Sequence, residues 1–594
     1  MHTSNRRRFL SLLTAGLTTP YLLTFVSEKV RAAGLEGVEF SNTNVNFDAA
    51  SLNTNSSSVF DVSISSGDPT SSGVILWTRI APSAWRSNEP LYFQVSNNAD
   101  FSSLVLQGVI AANAISSDRD NTVKIDLDGT LEANTRYFYR FIYNNTVSKT
   151  GRCRTSPQTG TQSLKLALVV CQDYTNGYYG TFDHIAKDDS IDFVVHLGDL
   201  IYESAADPRF QSLPFADRII ELPSSGSVAM DLQDYRTLYR IYRSDPFFQK
   251  ALENHTWIIT RDDHETANDC YWDYARHTLG APDHPYTTDA RYGNDPLLLN
   301  QLMLDSQRAW LEYIPARVQV NESSTDPHQF LKHYRRFDLG GFVDLFMLDT
   351  RTYRTHHPCG EATVGQRYVP LQCKPEVLNA SGQFLMGTEQ REWLINGLSS
   401  SSARWKLVGN QTYMGKLGFK LSKYPDTPVD VDAWDGYSYE RNIFSQEIKS
   451  NNVNNLVVIT GDLHTYIAST LKIDYMNRNA ADTANLIGVE FMTPSVTSAG
   501  LLDMFSNGKA SQQKLKPAEK LALIEFMNVI VRSANPHIRY FNTIDHGYST
   551  LEFTPTYCEW SAFTVDKDVN NSLAGKKLAR RYRKYEDNPN IVPV

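Results

Sequence analysis

Two rhythms of apolar residues divide the chain. Between residues 58 and 155, short alternating runs are separated by turn residues: Val59-Phe60-Asp61-Val62-Ser63, Gly73-Val74-Ile75-Leu76-Trp77-Thr78, Leu91-Tyr92-Phe93-Gln94-Val95, Thr122-Val123-Lys124-Ile125-Asp126-Leu127 and Tyr137-Phe138-Tyr139-Arg140-Phe141. Period-two alternation predicts strands with one wet face, and their spacing predicts a small β-sandwich of the fibronectin III type over residues 57–157. After Pro157 the runs become nearly continuous, as in Leu164 to Val170, Ile191 to Leu197, Trp257 to Ile259, Phe342 to Leu348, Trp405 to Val408 and Leu456 to Thr460. Strands covered on both faces read this way. Helical patterns lie between several of them, from Asn300 to Tyr313, from Thr388 as N-cap to Leu398, and from Pro517 to about Ser533. Alternating strands and helices predict a layered α/β domain over 158–594, ending in a C-terminal extension.

Outside these patterns, residues 33–56 are rich in Asn, Ser and Thr and predict a polar linker. The cluster Lys576, Lys577, Arg580, Arg581, Arg583 and Lys584 predicts a solvated helix face, and less strongly a contact with a membrane surface or partner. At the other end, Arg6-Arg7-Arg8-Phe9-Leu10, an apolar run to about Phe25 and Val30-Arg31-Ala32 match a basic region, a hydrophobic region and an A-x-A-like cleavage site. The arginine pair resembles a twin-arginine export signal. The run is short for a bilayer and interrupted by Pro20, so residues 1–32 are expected to be a cleaved signal rather than an anchor. The mature chain is expected to have no transmembrane helix, a periplasmic or extracellular location and the twin-arginine translocase as its partner during export.

The formal net charge is −9 and falls further without the arginine-rich leader. With no basic stripe to follow a phosphate backbone, this argues against a nucleic-acid-binding module. Six cysteines are too few for a disulfide scaffold, although Cys359 and Cys373 share a Pro/Gly-containing loop and are placed to pair after export. Export of an already folded chain suits a metal inserted before competing ions are met.

Chemistry in α/β sheets sits beyond the carboxyl ends of strands. Four apolar runs here end in Cys171-Gln172-Asp173, Gly198-Asp199-Leu200-Ile201-Tyr202-Glu203, Arg261-Asp262-Asp263-His264-Glu265 and Gly461-Asp462-Leu463-His464. A single Asp after a strand is often a cap, and a lone His or Cys is often a core residue. Four such ends in order point instead to a two-metal hydrolase, in which carboxylates bridge ions that clamp the attacking and leaving oxygens of a phosphate ester. Asp199 is the candidate bridge. A phenolate from Tyr202 favours a hard ferric ion, and Cys171 as thiolate can be held deprotonated by it.

These residues resemble the PhoD-like alkaline phosphatases of the calcineurin-like metallophosphoesterase superfamily. The similarity runs from Ser66-Gly67-Asp68-Pro69 and Leu76-Trp77-Thr78-Arg79 through the four strand ends. It continues through Leu348-Asp349-Thr350-Arg351-Thr352-Tyr353-Arg354 and Gly409-Asn410-Gln411 to Phe491-Met492-Thr493-Pro494-Ser495-Val496-Thr497-Ser498 and Asn535-Pro536-His537. The resemblance implies a fibronectin-like sandwich followed by a four-layer αββα metallophosphatase domain. It also implies twin-arginine secretion, and hydrolysis of phosphomonoesters and phosphodiesters with Fe3+ and Ca2+. Carried over, Cys171, Asp199, Tyr202 and His464 form the ferric site, and Asp199, Asp263, Asn410 and Asp462 hold the neighbouring calcium. Asp262 and Gln411 are the adjacent alternatives. Oxygen ligands where the wider superfamily has nitrogen suit calcium on chemical grounds as well. His264 takes the place of a phosphate contact or leaving-group acid, and Arg351 is expected to fork onto phosphate oxygens, with Arg354 a lesser candidate. Arg261, where members often carry Trp, would add charge near the cleft or point to solvent.

The expected reaction is in-line attack by a metal-activated hydroxide on small phosphate esters, releasing inorganic phosphate, as in an alkaline phosphatase. The alternatives are a dedicated phosphodiesterase of phospholipase D-like activity and a non-catalytic calcium-dependent binding protein.

Overall fold

The nearly continuous apolar runs form the middles of two sheets. In a computed structural model, which describes residues 37–594 apart from 49, 206–214, 274, 360, 372, 422–423, 480–481, 501–515 and 571–572, the strands Leu164–Val169, Phe193–His196 and Thr256–Ile259 run parallel. The expected export signal lies outside the described residues. Antiparallel strands Gly547–Phe553, Tyr557–Val565 and Lys576–Tyr585 extend this sheet on one side. In the second sheet Val343–Met347, Trp405–Gly409, Leu456–Thr460 and Leu486–Met492 are parallel to one another.

Alternation along the second sheet sets the layers. Leu345, Met347, Leu407, Val457 and Ile459 point inward and join one buried cluster with Leu166, Leu168 and Val195 of the first sheet. Phe346, Leu348, Val408 and Val458 point outward, beneath Leu394 and Leu398 of helix Gly387–Ser400 and Phe444 and Ile448 of helix Ser438–Ser450. Helices Leu232–Arg243, Pro246–Asn254 and Pro296–Tyr313 cover the first sheet through Leu238, Phe248 and Trp310. Each begins at an aspartate, Asp231, Asp245 or Asp295, whose side chain accepts from the first-turn amides, and two follow it with proline at the first helical position. The order helix, sheet, sheet, helix is the four-layer αββα arrangement.

The N-terminal strands form the expected sandwich. Strands Leu91–Ser96, Leu104–Ile110 and Arg136–Tyr143 face Ile64–Thr70, Gly73–Arg79 and Thr122–Asp126 across a core of Ile64, Val74, Leu76, Phe93, Val95, Val123, Tyr139 and Phe141. Its second sheet continues into the α/β layers, because Ile64–Thr70 pairs in parallel with Thr256–Ile259 and completes a ten-stranded sheet. This junction explains the first motif. A Cβ on Gly67 would lie 2.2 Å from the Pro315 carbonyl oxygen, and Asp68 is held by both sides of the Arg335 guanidinium at 2.8 and 2.9 Å.

Local readings differ in four places. Val59 to Ser63 is not a strand, since a 3-10 turn at Ser56–Ser58 precedes it and Ser63 adopts φ +60°. The 33–56 segment contributes a short strand, Ser41–Asn42, paired with Val109 and Gly108. The 387–400 helix starts one residue before Thr388, flanked by Met386 without a side-chain cap. The basic cluster is a strand, Lys576–Tyr585, rather than a helix face, because Arg581 and Arg583 both find Glu559 on the neighbouring strand (3.0 and 2.6 Å). Cys359 and Cys373 form a disulfide. Among the described residues no helix is long and apolar enough to cross a membrane.

Candidate metal centre at the strand ends

Both parallel sets deliver their carboxyl ends to one rim. Cys171, Asp199, Asp462 and His464 lie just past those ends, and all four are non-glycine residues in the left-handed region, at φ +52°, +56°, +67° and +51°. Such conformations cost of order 1–3 kcal/mol each and persist where the surroundings impose them, most often at functional sites. Gly198, at φ +110°, makes the Asp199 turn sterically feasible, since a Cβ there would lie 2.4 Å from Asp262 Cβ. Gly198→Ala is therefore expected to destabilise the fold by about 1–3 kcal/mol and to displace Asp199 from Asp262. Thermal unfolding and activity measured together check this, and a variant matching the parent in both would contradict it.

Asp199 is the hub of a first cluster. Its Oδ2 accepts from the Cys171 thiol at 3.3 Å and from the Tyr202 hydroxyl at 3.2 Å, and Tyr202 Oη is 3.2 Å from His464 Nε2. Ligand atoms of Cys171, Asp199 and His464 all lie within 4.8 Å of one another. His464 Nδ1 donates to the Ala499 carbonyl at 2.7 Å, leaving the Nε2 lone pair facing the cluster. Burial pushes His464 down to about 4, so its neutral, ligating form prevails. The same burial, reinforced by the Asp199 charge, pushes the Cys171 thiol and Tyr202 phenol well above their usual ranges. The motif from Phe491 to Ser498 closes over this cluster, its Val496 amide donating to the Cys171 carbonyl at 3.1 Å.

A second group adjoins it. Oxygens of Asp199, Asp262 and Asp263 also lie within 4.8 Å of one another. Burial and mutual repulsion raise Asp199 and Asp262 well above the carboxylate range and Asp462 to about 7, whereas for Asp263 the charges of Arg351 and His264 outweigh burial and hold it low. Buried carboxylates that repel one another in this way fit a multivalent cation, which lets all of them ionise together.

Arg351 is engaged by carboxylates on every side: Asp262 at Nε, Asp432 at Nη1, and Asp462 and Asp263 at Nη2 (2.8 and 3.1 Å). Arg354 is buried against Asp432 at 2.6 Å. Arg261 does not reach solvent; it is buried and donates to Thr266 and Ser306. Gln411 is spent on the Arg261 and Leu348 carbonyls and the Thr350 hydroxyl, so it ties strand ends together. Asn410 Oδ1 accepts from the Trp434 indole at 3.3 Å, and Asp173 caps the next turn through Thr175.

His264 stacks on Tyr202, with ring centroids 4.0 Å apart, and its amide reaches Asp199 Oδ1 at 3.3 Å. Its Nδ1 is 2.7 Å from Glu203 Oε2, and Nε2 lies 3.9 Å from Asp263. Burial opposes the imidazolium, but Glu203, Asp263 and Asp199 outweigh it and raise the His264 pKa well above the ordinary histidine range.

Three residues without a role assigned from sequence complete the site. Glu203 anchors His264; Glu265 accepts from the amides of Asp199, Leu200 and Asp262 (3.0, 2.7 and 2.7 Å); Asp432 receives Arg351, Arg354 and His357. Glu203 and Glu265 were visible as the last letters of their motifs. Asp432 lies four residues past the short strand Tyr424–Pro428, which has no apolar run to mark it.

The family model for PhoD-like phosphatase matches residues 166–562, and that for the PhoD-like phosphatase N-terminal domain matches residues 48–157. Alkaline phosphatase D of Bacillus subtilis (strain 168) is 30% identical over 518 residues, covering 85% of this chain and 77% of the relative. A solved structure of PhoD superposes with a TM-score of 0.71 at 26% identity, covering 93% of both chains. With its strand-end cluster on the matching fold, the chain belongs to the PhoD-like phosphatase family.

Proposed function

We propose that this protein is an exported alkaline phosphatase that hydrolyses phosphomonoesters and phosphodiesters at an iron and calcium centre. The observation that carries the reading is the convergence of the Cys171 thiol, the Tyr202 phenol and the His464 imidazole around the Asp199 carboxylate, beside a second group of carboxylates. Thiolate and phenolate donors suit Fe3+ held by Cys171, Asp199, Tyr202 and His464, and all-oxygen donors suit Ca2+ held by Asp199, Asp263, Asn410 and Asp462, with Asp262 within reach. When bound, the ions supply Lewis acidity that neutralises phosphate charge and activates water.

The chain's own groups do the rest. Glu203 fixes the His264 ring and favours its protonated state, so His264 can hydrogen-bond a phosphoryl oxygen or protonate the departing alkoxide. Arg351 holds Asp263 and Asp462 in place and offsets negative charge at the rim that receives the ester. Glu265 locks the Asp199 and Asp262 turns through three amides. No covalent phosphoenzyme is needed.

The test is hydrolysis of nitrophenyl phosphate and bis-nitrophenyl phosphate side by side, with elemental analysis and a calcium-selective chelator. Cleavage of both esters, lost on chelation and restored by calcium, with iron co-purifying, is the expected result. Fully metal-loaded protein that cleaves neither ester would overturn the reading in favour of calcium-dependent binding, and cleavage of the diester alone would restrict it to a phosphodiesterase.

A further inference from the structure

Helix Pro517–Ala534 has two unlike faces. Ile524, Asn528 and Val531 are buried, with Met527 and Val531 packing on the cluster of Tyr413, Leu417, Ile467 and Phe541. The opposite face turns Phe526 and Val529 outward at 60% and 63% exposure, with Ile530 beside them at 37% and Leu521 on the flank at 59%. One exposed apolar residue is ordinary, but three large apolar side chains on a single helix face, with a fourth on its flank, call for a partner.

Cations border the same face. Arg580, on the strand Lys576–Tyr585, reaches the helix residue Glu525 at 3.0 Å. Arg532 of the last helical turn, Arg539 and Arg580 all act on Tyr582, and Glu525 is the carboxylate among them. This concentration of positive charge stands out in a chain whose net charge is −9.

We propose that this surface docks on an anionic lipid bilayer, the apolar face of the helix entering the headgroup boundary while the arginines meet lipid phosphates. A soluble polyanion would use the cations but not Phe526 and Val529; a bilayer uses both. The helix lies in the interface plane, since it does not qualify as a membrane span.

The test places an environment-sensitive fluorophore at Val529→Cys in the full chain, where the free cysteines are all buried and the probe reads this helix rather than the apolar leader. Vesicles of phosphatidylcholine with phosphatidylglycerol should blue-shift the emission, and pure phosphatidylcholine should bind at least about tenfold more weakly. Adding Arg532→Gln and Arg580→Gln, both remote from the metal ligands, should weaken binding to the anionic vesicles by about tenfold with circular dichroism and phosphatase activity unchanged. Emission unmoved by anionic vesicles, or binding indifferent to the two arginines, would overturn the proposal. An equal blue shift on soluble inorganic polyphosphate would also overturn it and assign the surface to a soluble polyanion.

Discussion

Asp199→Ala is expected to remove essentially all phosphoesterase activity, by roughly 10³-fold or more, together with most of the bound metal. Three contacts explain the size of the effect. The side chain receives Cys171 and Tyr202 on one oxygen and the His264 amide on the other, and the same carboxylate belongs to both ligand groups. Removing it separates the two groups and releases the histidine loop. The fold should survive, because the turn amides of Asp199 and Leu200 remain held by Glu265 and the apolar strands beneath are untouched. Loss of one buried carboxylate also relieves repulsion with Asp263 and Asp462, so the metal-free variant should unfold no earlier than the metal-free parent. Elemental analysis, turnover and thermal unfolding on one preparation check this. Asp199→Ala that kept both metal content and turnover would remove Asp199 from the centre.

Why most of this arrangement could be read from sequence is physical. A strand buried on both faces must be apolar throughout, so Leu164 to Val170 or Leu456 to Thr460 announce themselves, and the first polar residues past each end are positioned by the sheet. Cys171, Asp199, Asp462 and His464 were legible for that reason. Contacts between separate segments were not. Arg351 followed a strand and was read as a phosphate ligand, yet its guanidinium is surrounded by carboxylates from three other segments, at 262–263, 432 and 462. Asp432 follows only the short strand Tyr424–Pro428, whose sequence has no apolar run to announce it. The run from Lys576 to Tyr585 failed for a related reason, since its cations suit one helix face as well as a strand until Glu559 on the facing strand selects the latter. The join between sandwich and catalytic layers depends on Ser66 and Gly67 pairing with Thr256 and Trp257, a contact that no local pattern encodes.

His264→Ala should separate chemistry from metal binding. Turnover is expected to fall by about 10²–10⁴-fold, the usual range for losing a positioned proton donor, with metal content retained because the ring nitrogens face Glu203 and Asp263 rather than the Cys171 cluster. Glu203→Gln should fall between that variant and the parent. Its amide can still reach the ring, but the negative charge that favours the imidazolium is gone, so the variant loses electrostatic support while retaining most of the geometry. If His264 donates a proton to the leaving alkoxide, the deficit of His264→Ala should grow with leaving-group basicity, small for nitrophenyl esters and large for alkyl esters that cannot depart unprotonated. If it only hydrogen-bonds the phosphoryl group, the deficit should be the same for both. Measuring kcat for the parent and both variants across a series of aryl and alkyl phosphates decides between these roles, and a His264→Ala enzyme with unchanged turnover on every ester would exclude both.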